Sequence, residues 1–291
     1  MRVCDPLVLA ALGGSGDWRD GRAVHDLPAD VVERVLHDLR WAELMVPTRG
    51  AEDTEFRLRQ WSSHELWFHE RSRSGRQGGS ADGFGRTSWA KGSFDPLPAR
   101  PDPYPGPAID LPEPDLALLR RTDPTLTAVL EDRRTIRAHD EDNPVSLDQL
   151  GELLYRCSRT RGVRDIGGVE YVSRPHPSGG SVYELELYPV VRHAEGLPAG
   201  MYHYDSHERQ LRLVREASHQ SVRRLLRVAK FAMDGSPQVL IVVAARVGRV
   251  MWNYEAMAYA LILKHVGVLY QTMYCVATAM GLAPCALGGG D

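Results

Sequence analysis

Cysteine is scarce in this sequence: four in 291 residues, at Cys4, Cys157, Cys275 and Cys285, with no CxxC pair. That excludes a disulfide framework and a zinc ribbon, and it fits a reducing cytosol. An excess of charge is missing as well. The formal net charge is −3 and the pI about 6.4, so no global field favours nucleic acid. The amino terminus, Met1 to Pro6, lacks the charged-then-apolar design of a signal peptide, and no internal repeat is evident. Long apolar runs are equally few. The one candidate membrane span, Ala256 to Met280, is interrupted by Lys264, His265 and Gln271, which reads as a core helix instead. With 43% hydrophobic residues the chain can bury one large core, or one core and a small accessory domain.

What is present divides into three stretches: 1–72, 73–114 and 115–291. In the first, Asp26 and Pro28 open a helix whose apolar face is Val31, Val32, Val35, Leu36 and Leu39. Glu55 to Arg59 alternates like a strand. His64-Glu-Leu-Trp-Phe-His69 imitates a zincin helix, but histidines five apart lie about 140° from each other around it. No metal site follows, and two partly buried histidines beside Trp61 and Trp67 are expected. The second stretch is Gly/Ser/Arg-rich and then proline-rich, the composition of a flexible segment leading into an extended spacer.

Beyond residue 115 helices and strands alternate in an α+β manner. Ser146 to Gln149 reads as a capping box opening a helix through Tyr155. Met201–Tyr204 and Gln210–Val214 read as short strands around a polar turn, and Glu216–Phe231 as a helix. Gln238 to Ala245 is a continuous apolar run, as in a central strand buried on both faces. Arg174-Pro-His-Pro-Ser-Gly-Gly-Ser181 is a rigid turn with two glycines, followed by residues 182–187 in strand alternation. Such a turn suits a flat polar cofactor and equally an ordinary loop entering a strand. Arg133-Arg-Thr-Ile-Arg137 gathers three guanidiniums and a hydroxyl, a cradle for phosphate or a solvated helix end. Gly281 to Gly290 closes the long apolar helix with another backbone-exposing turn, which capping alone would also explain.

In this order the three segments resemble the flavin-binding elements of the nitroreductase superfamily, and most nearly its SagB-type azoline dehydrogenases, over about residues 125 to 291. The resemblance implies a mixed or antiparallel sheet flanked by helices, with a small winged-helix-like domain at the amino terminus. That domain carries Glu33 and Asp38 beside Arg34 and Arg40, a mixed surface that favours a structural or peptide-docking role over DNA. The cofactor implied is FMN, held by Arg133, Arg134, Thr135 and Arg137 at the phosphate. Pro177, Ser178, Gly179 and Gly180 would line the ring and ribityl chain, and Ala286, Leu287, Gly288 and Gly289 would approach N5. The implied partners are a ribosomal precursor peptide, a cyclodehydratase and a second copy of the chain, because the flavin site of this fold lies at a dimer interface.

Tyr254 matches the tyrosine of the family's Lys-Tyr pair, whereas Asn253 stands where the lysine would be. An adjacent ammonium would lower the tyrosine's pKa; asparagine keeps a donor without the charge. Tyr254 is therefore expected to be a weaker base, with Lys264, about 15 Å along the same helix, a poor substitute. An ordinary core tyrosine is the plainer alternative. Family members also continue past the glycine turn with a tail, whereas this sequence ends at Asp291. Three functions stand: azoline oxidation on a peptide, a generic NAD(P)H-dependent flavin reductase or nitroreductase, and a catalytically silent scaffold binding peptide or cyclodehydratase.

Overall fold

The computed structural model describes residues 60–72, 90–254 and 257–288, together with Asp30, Arg34, His37, Asp38 and Phe56. The chain divides into two compact units, Met1–Glu70 and Arg71–Asp291. In the first, Asp30, Arg34, His37 and Asp38 are helical and exposed, while the apolar face expected beside them lies outside the described residues. Phe56, the described member of the expected strand 55–59, is helical. Five alternating residues are too short a window to separate the two periods. Helix α1, Ser63–Ser72, starts at Ser62, whose Oγ accepts from Glu65 N at 3.3 Å and donates to the Glu65 carboxylate at 2.8 Å. His69 is half-buried with its ring 5.0 Å from that of Trp61, but His64 is exposed, contrary to expectation.

The second unit is built on five antiparallel strands: β1 (Ala108–Asp110), β4 (Leu185–Val191), β5 (Gly200–Asp205), β6 (Gln210–Glu216) and β7 (Val239–Ala245). Their order across the sheet is β1-β6-β5-β4-β7, and a separate hairpin is formed by β2 (Gly162–Ile166) and β3 (Val169–Ser173). The helices are α2 (Leu116–Thr122), α3 (Leu126–Asp132), α4 (Leu147–Ser158), α5 (Gln220–Ala229), α6 (Val247–Met251) and α7 (Ala258–Ala279). Ser146 caps α4 with the full reciprocal box to Gln149. One sheet face packs Leu185, Leu187, Tyr202, Tyr204 and Leu211 against Leu150 and Leu154 of α4 and Ile262 and Leu269 of α7.

The other face is polar and also buried. Glu186, His203 and Asp205 lie there at 2–3% exposure. Their cover is the proline-rich stretch, which is extended yet bound to the domain rather than free as a spacer. Arg100 donates to Asp205 Oδ2 through Nε (3.1 Å) and Nη2 (2.6 Å), and Tyr104 Oη lies 3.2 Å from Tyr188 Oη. Ala90 and Ala99 are fully buried. At Gly106 the strap passes so close that a Cβ would sit 2.0 Å from Leu213 O. Prolines keep this strap extended without demanding donors that its neighbours must satisfy.

Two sequence expectations are corrected here. The apolar run 239–245 forms the edge strand β7, half-buried, whereas the alternating segment forms the inner strand β4, buried on both faces. A second buried face explains why alternation did not mean one wet side. The helix expected from Glu216 begins at Gln220, since β6 runs through Glu216. Helix α7 is long and apolar enough to cross a membrane by length and composition, but Ala258, Ile262, His265 and Leu269 bury one stripe of it in the domain core.

Candidate functional site

The Pro177–Gly180 turn closes as a single 3-10 turn over Gly179–Ser181. Gly180 sits at φ 64°, and Ser181 and Tyr183 at 53° and 43° on either side of a right-handed Val182 (φ −81°), left-handed values that side chains seldom adopt. Local hydrogen bonds hold it: Ser181 N donates to Ser178 O (3.2 Å) and Tyr183 N to Ser178 Oγ (3.2 Å). Pro177 and Gly180 are exposed, while Ser178 and Gly179 are half-buried.

Two side chains from distant sequence meet this turn. A Cβ on Gly180 would fall 2.5 Å from Tyr254 Oη, so the bare backbone is what admits the phenol. Gly179 N donates to His265 Nε2 at 2.8 Å, and His265 Nδ1 lies 2.8 Å from Glu184 Oε1. Glu184 is wholly buried and His265 is 5% exposed. Arg249, also buried, donates to the carbonyls of Val182 (2.6 Å), Leu97 (2.5 Å) and Glu170 (2.8 Å), tying turn, strap and β3 together. Burial pulls its guanidinium down to about 10, with the neighbouring Arg246 and Arg174 adding to the fall. Tyr254 lies in the break between α6 and α7 rather than on the long helix, which removes the expected measure of its distance to Lys264. Asn253 Nδ2 donates to Arg249 O at 3.4 Å.

A second cluster forms around Tyr274 on α7. Its hydroxyl lies 2.9 Å from Thr135 Oγ1 and accepts from Ala286 N at 2.8 Å. The Arg133 guanidinium stands over its ring at 5.5 Å, and Ile136 N donates to Pro284 O at 3.0 Å. The arginine segment and the carboxy-terminal turn are thus brought together through a tyrosine that the sequence reading did not single out. Arg134 and Arg137 are exposed, and no acidic partner is present for them among the described residues. Leu287 and Ala286 line a cavity of about 480 Å³ between β7, α4 and the end of α7. Gly288 is exposed; Gly289 lies outside the described residues.

The two clusters do not meet within one chain. Nine residues separate His265 from Tyr274, about 13.5 Å of rise and two and a half helical turns. The glycine turn and the arginine segment therefore contact opposite sides of α7. Of the residues that matter here, sequence reasoning missed Tyr274, Arg249 and the Glu184–His265 pair. Its available signals were slight: His265 interrupts an apolar helix, and Glu184 occupies one position of an alternating strand.

Both the domain and the stretch before it are similar to known proteins. The family model described as nitroreductase family matches residues 130–291, and that of the cyanobactin oxidase ThcOx matches residues 8–78. MJ1384 of Methanocaldococcus jannaschii, which bears a nitroreductase name, is 29% identical over 185 residues, covering 63% of this chain and 85% of its own. The microcin B17-processing protein McbC of Escherichia coli is 30% identical over 115 residues, 38% of this chain and 42% of that protein. A solved structure from Anabaena variabilis, also named for nitroreductases, aligns at TM-score 0.49 and 24% identity over 75% of this chain and 39% of its own. The match to the nitroreductase model takes in more than half of the chain, including the arginine segment, the glycine turn, the five-stranded sheet from β4 onward and α7, and on that extent the chain belongs to the nitroreductase family.

Proposed function

We propose that this protein is an FMN-dependent azoline dehydrogenase, oxidising thiazolines or oxazolines of a ribosomally made precursor peptide to thiazoles or oxazoles. The observation that carries the reading is the Tyr254 phenol seated on Gly180 of the Pro177–Gly180 turn. There a tyrosine from one end of the domain reaches the bare backbone expected to face a flavin. The cyanobactin-oxidase match over residues 8–78 and the likeness to McbC, named for processing a peptide, support a peptide substrate. Free thiols at Cys157, Cys275 and Cys285 fit a reducing compartment.

The residues present suit FMN. Arg133, Arg134 and Arg137, with the Thr135 hydroxyl, would hold its phosphate, and their lack of acidic partners among the described residues leaves the guanidiniums available. Pro177, Ser178, Gly179 and Gly180 would lie along the ring and ribityl chain, and Ala286, Leu287, Gly288 and Gly289 toward the hydride-accepting edge. Oxidation of an azoline removes one ring proton and one hydride; FMN, when bound, supplies the hydride acceptor. Tyr254 is assigned the proton. Asn253, reaching back to the Arg249 carbonyl, is assigned to the end of α6.

Two copies are needed on this reading, because one copy's turn and arginine segment face opposite sides of α7. The exposed α7 residues Tyr259 (55%) and Leu263 (48%) offer an apolar stripe for the second. A cyclodehydratase that makes the azoline is the implied upstream partner. The test is to purify the protein with added FMN and present a peptide azoline. Yellow protein and loss of two hydrogens' mass from the peptide are expected; protein that folds and stays colourless overturns the proposal. The long match to MJ1384 favours a second reading, a generic reductase, which rapid bleaching of the flavin by NADH would select.

A further inference from the structure

The geometry points to Glu184 and His265 as a positioning pair that sets the glycine turn and, through it, the place of the Tyr254 hydroxyl. The protonation pattern follows from what each partner can do. A backbone N–H only donates, so His265 Nε2, 2.8 Å from Gly179 N, must present its lone pair. The imidazole is then neutral with its proton on Nδ1, which donates to Glu184 Oε1 at 2.8 Å. A carboxylate buried this completely is tolerated only with hydrogen-bonded company. Here that company dictates the tautomer, and the tautomer dictates that Gly179 N–H has an acceptor.

The pair has reach because of where each member is anchored. Glu184 O accepts from Arg246 N at 2.8 Å, at the mouth of the β4–β7 ladder, so the carboxylate projects from the rigid sheet. His265 rides on the buried stripe of α7. Between them they grip the more inward glycine of a Gly-Gly pair, the part of the turn with the greatest backbone freedom. The next residue, Gly180, adopts the left-handed conformation and carries Tyr254 Oη against its Cα face. The sheet thus fixes Glu184, Glu184 fixes the imidazole, the imidazole fixes Gly179, and Gly180 sets how far the phenol can advance. The part this plays in azoline oxidation rests on the function proposed above; the anchoring of the turn does not.

The test uses the full chain with FMN added, the ¹⁵N spectrum of His265, amide exchange at Gly179, and steady-state kinetics on a peptide azoline. The expected spectrum has Nδ1 protonated and Nε2 bare. His265→Ala should speed Gly179 exchange by about 10- to 100-fold, the loss of one hydrogen bond. It should lower kcat while KM stays within about twofold, as for a group that acts on geometry rather than affinity. His265→Gln should restore exchange protection, because its amide oxygen accepts from Gly179 and its NH₂ donates to Glu184. Glu184→Gln, isosteric and safe for folding, should admit the second tautomer and partly release the turn. A proton on Nε2 in the native protein, or unchanged Gly179 exchange in His265→Ala, overturns the proposal. If exchange rises as expected in a protein that neither binds FMN nor oxidises azolines, the anchor stands and the functional reading falls.

Discussion

Several polar residues of this domain are buried, and the tautomers of its histidines can be read from their partners. His176, 2% exposed, lies 2.9 Å through Nδ1 from the Cys157 carbonyl, which can only accept, so Nδ1 carries the proton. Burial lowers its pKa to about 4, with the neighbouring Arg174 charge adding to the fall. The unfolded imidazole, near 6.5, takes up a proton that the folded one refuses. Stability is therefore full above about 6.5 and falls as pH drops toward 4, by up to roughly 3 kcal/mol from this group. An NMR titration should find the His176 ring neutral down to about pH 4 while the unfolding free energy declines over the same interval. The opposite case is Cys157, whose thiol burial pushes up to about 12, leaving it inert as a nucleophile at neutral pH. None of these environments is visible in the sequence. A histidine immediately before a Pro-Ser-Gly-Gly turn could as easily be wet.

Among elements, the short helix α6 does more than its five residues suggest. Arg246 donates to Ala99 O (3.1 Å), Arg249 to three carbonyls, and Trp252 Nε1 to Phe94 O (3.2 Å), so α6 and the residues at its two ends fasten the strap and the glycine turn together. Replacing Arg249 with lysine keeps the charge but not the fork that reaches three acceptors. Arg249→Lys is expected to cost about 2–4 kcal/mol, with limited trypsin cutting at Lys91, at the start of the strap, before the rest of the domain. Denaturation midpoints and the order of cleavage check it. Element types past residue 115 were largely legible: the Ser146 capping box, the strands at 201–204 and 210–214 and the long helix all occur where periodicity places them. Strand rank was not. A run of Val, Ile and Leu is compatible with a central strand or with an edge packed on one face, and only pairing decides between them.

For the whole molecule, the proposed two-copy site predicts that two defective copies can repair each other. Arg133→Ala/Arg137→Ala destroys one half and Gly180→Val the other. Each alone is expected to be inactive. Mixed after partial unfolding and refolding, half of the dimers should be hybrids with one intact site, restoring about a quarter of wild-type activity. Absence of any recovery, with hybrids verified by native mass spectrometry, would place both halves in a single chain.

The sequence by itself determined the family and the parts: an α+β domain, an arginine-threonine segment, a Pro-Ser-Gly-Gly turn, a tyrosine near the start of the long helix and a glycine turn after it. Those are local signals, carried by φ preferences, hydroxyls and charges within a few residues, and they survive without knowledge of neighbours. Tertiary structure alone decided which parts touch. It seated Tyr254 on Gly180, gave Gly179 to His265, joined Thr135 to Ala286 through Tyr274, and drew the proline-rich stretch onto the sheet. Contacts between residues tens of positions apart depend on packing and helix phase, which no short window of sequence contains.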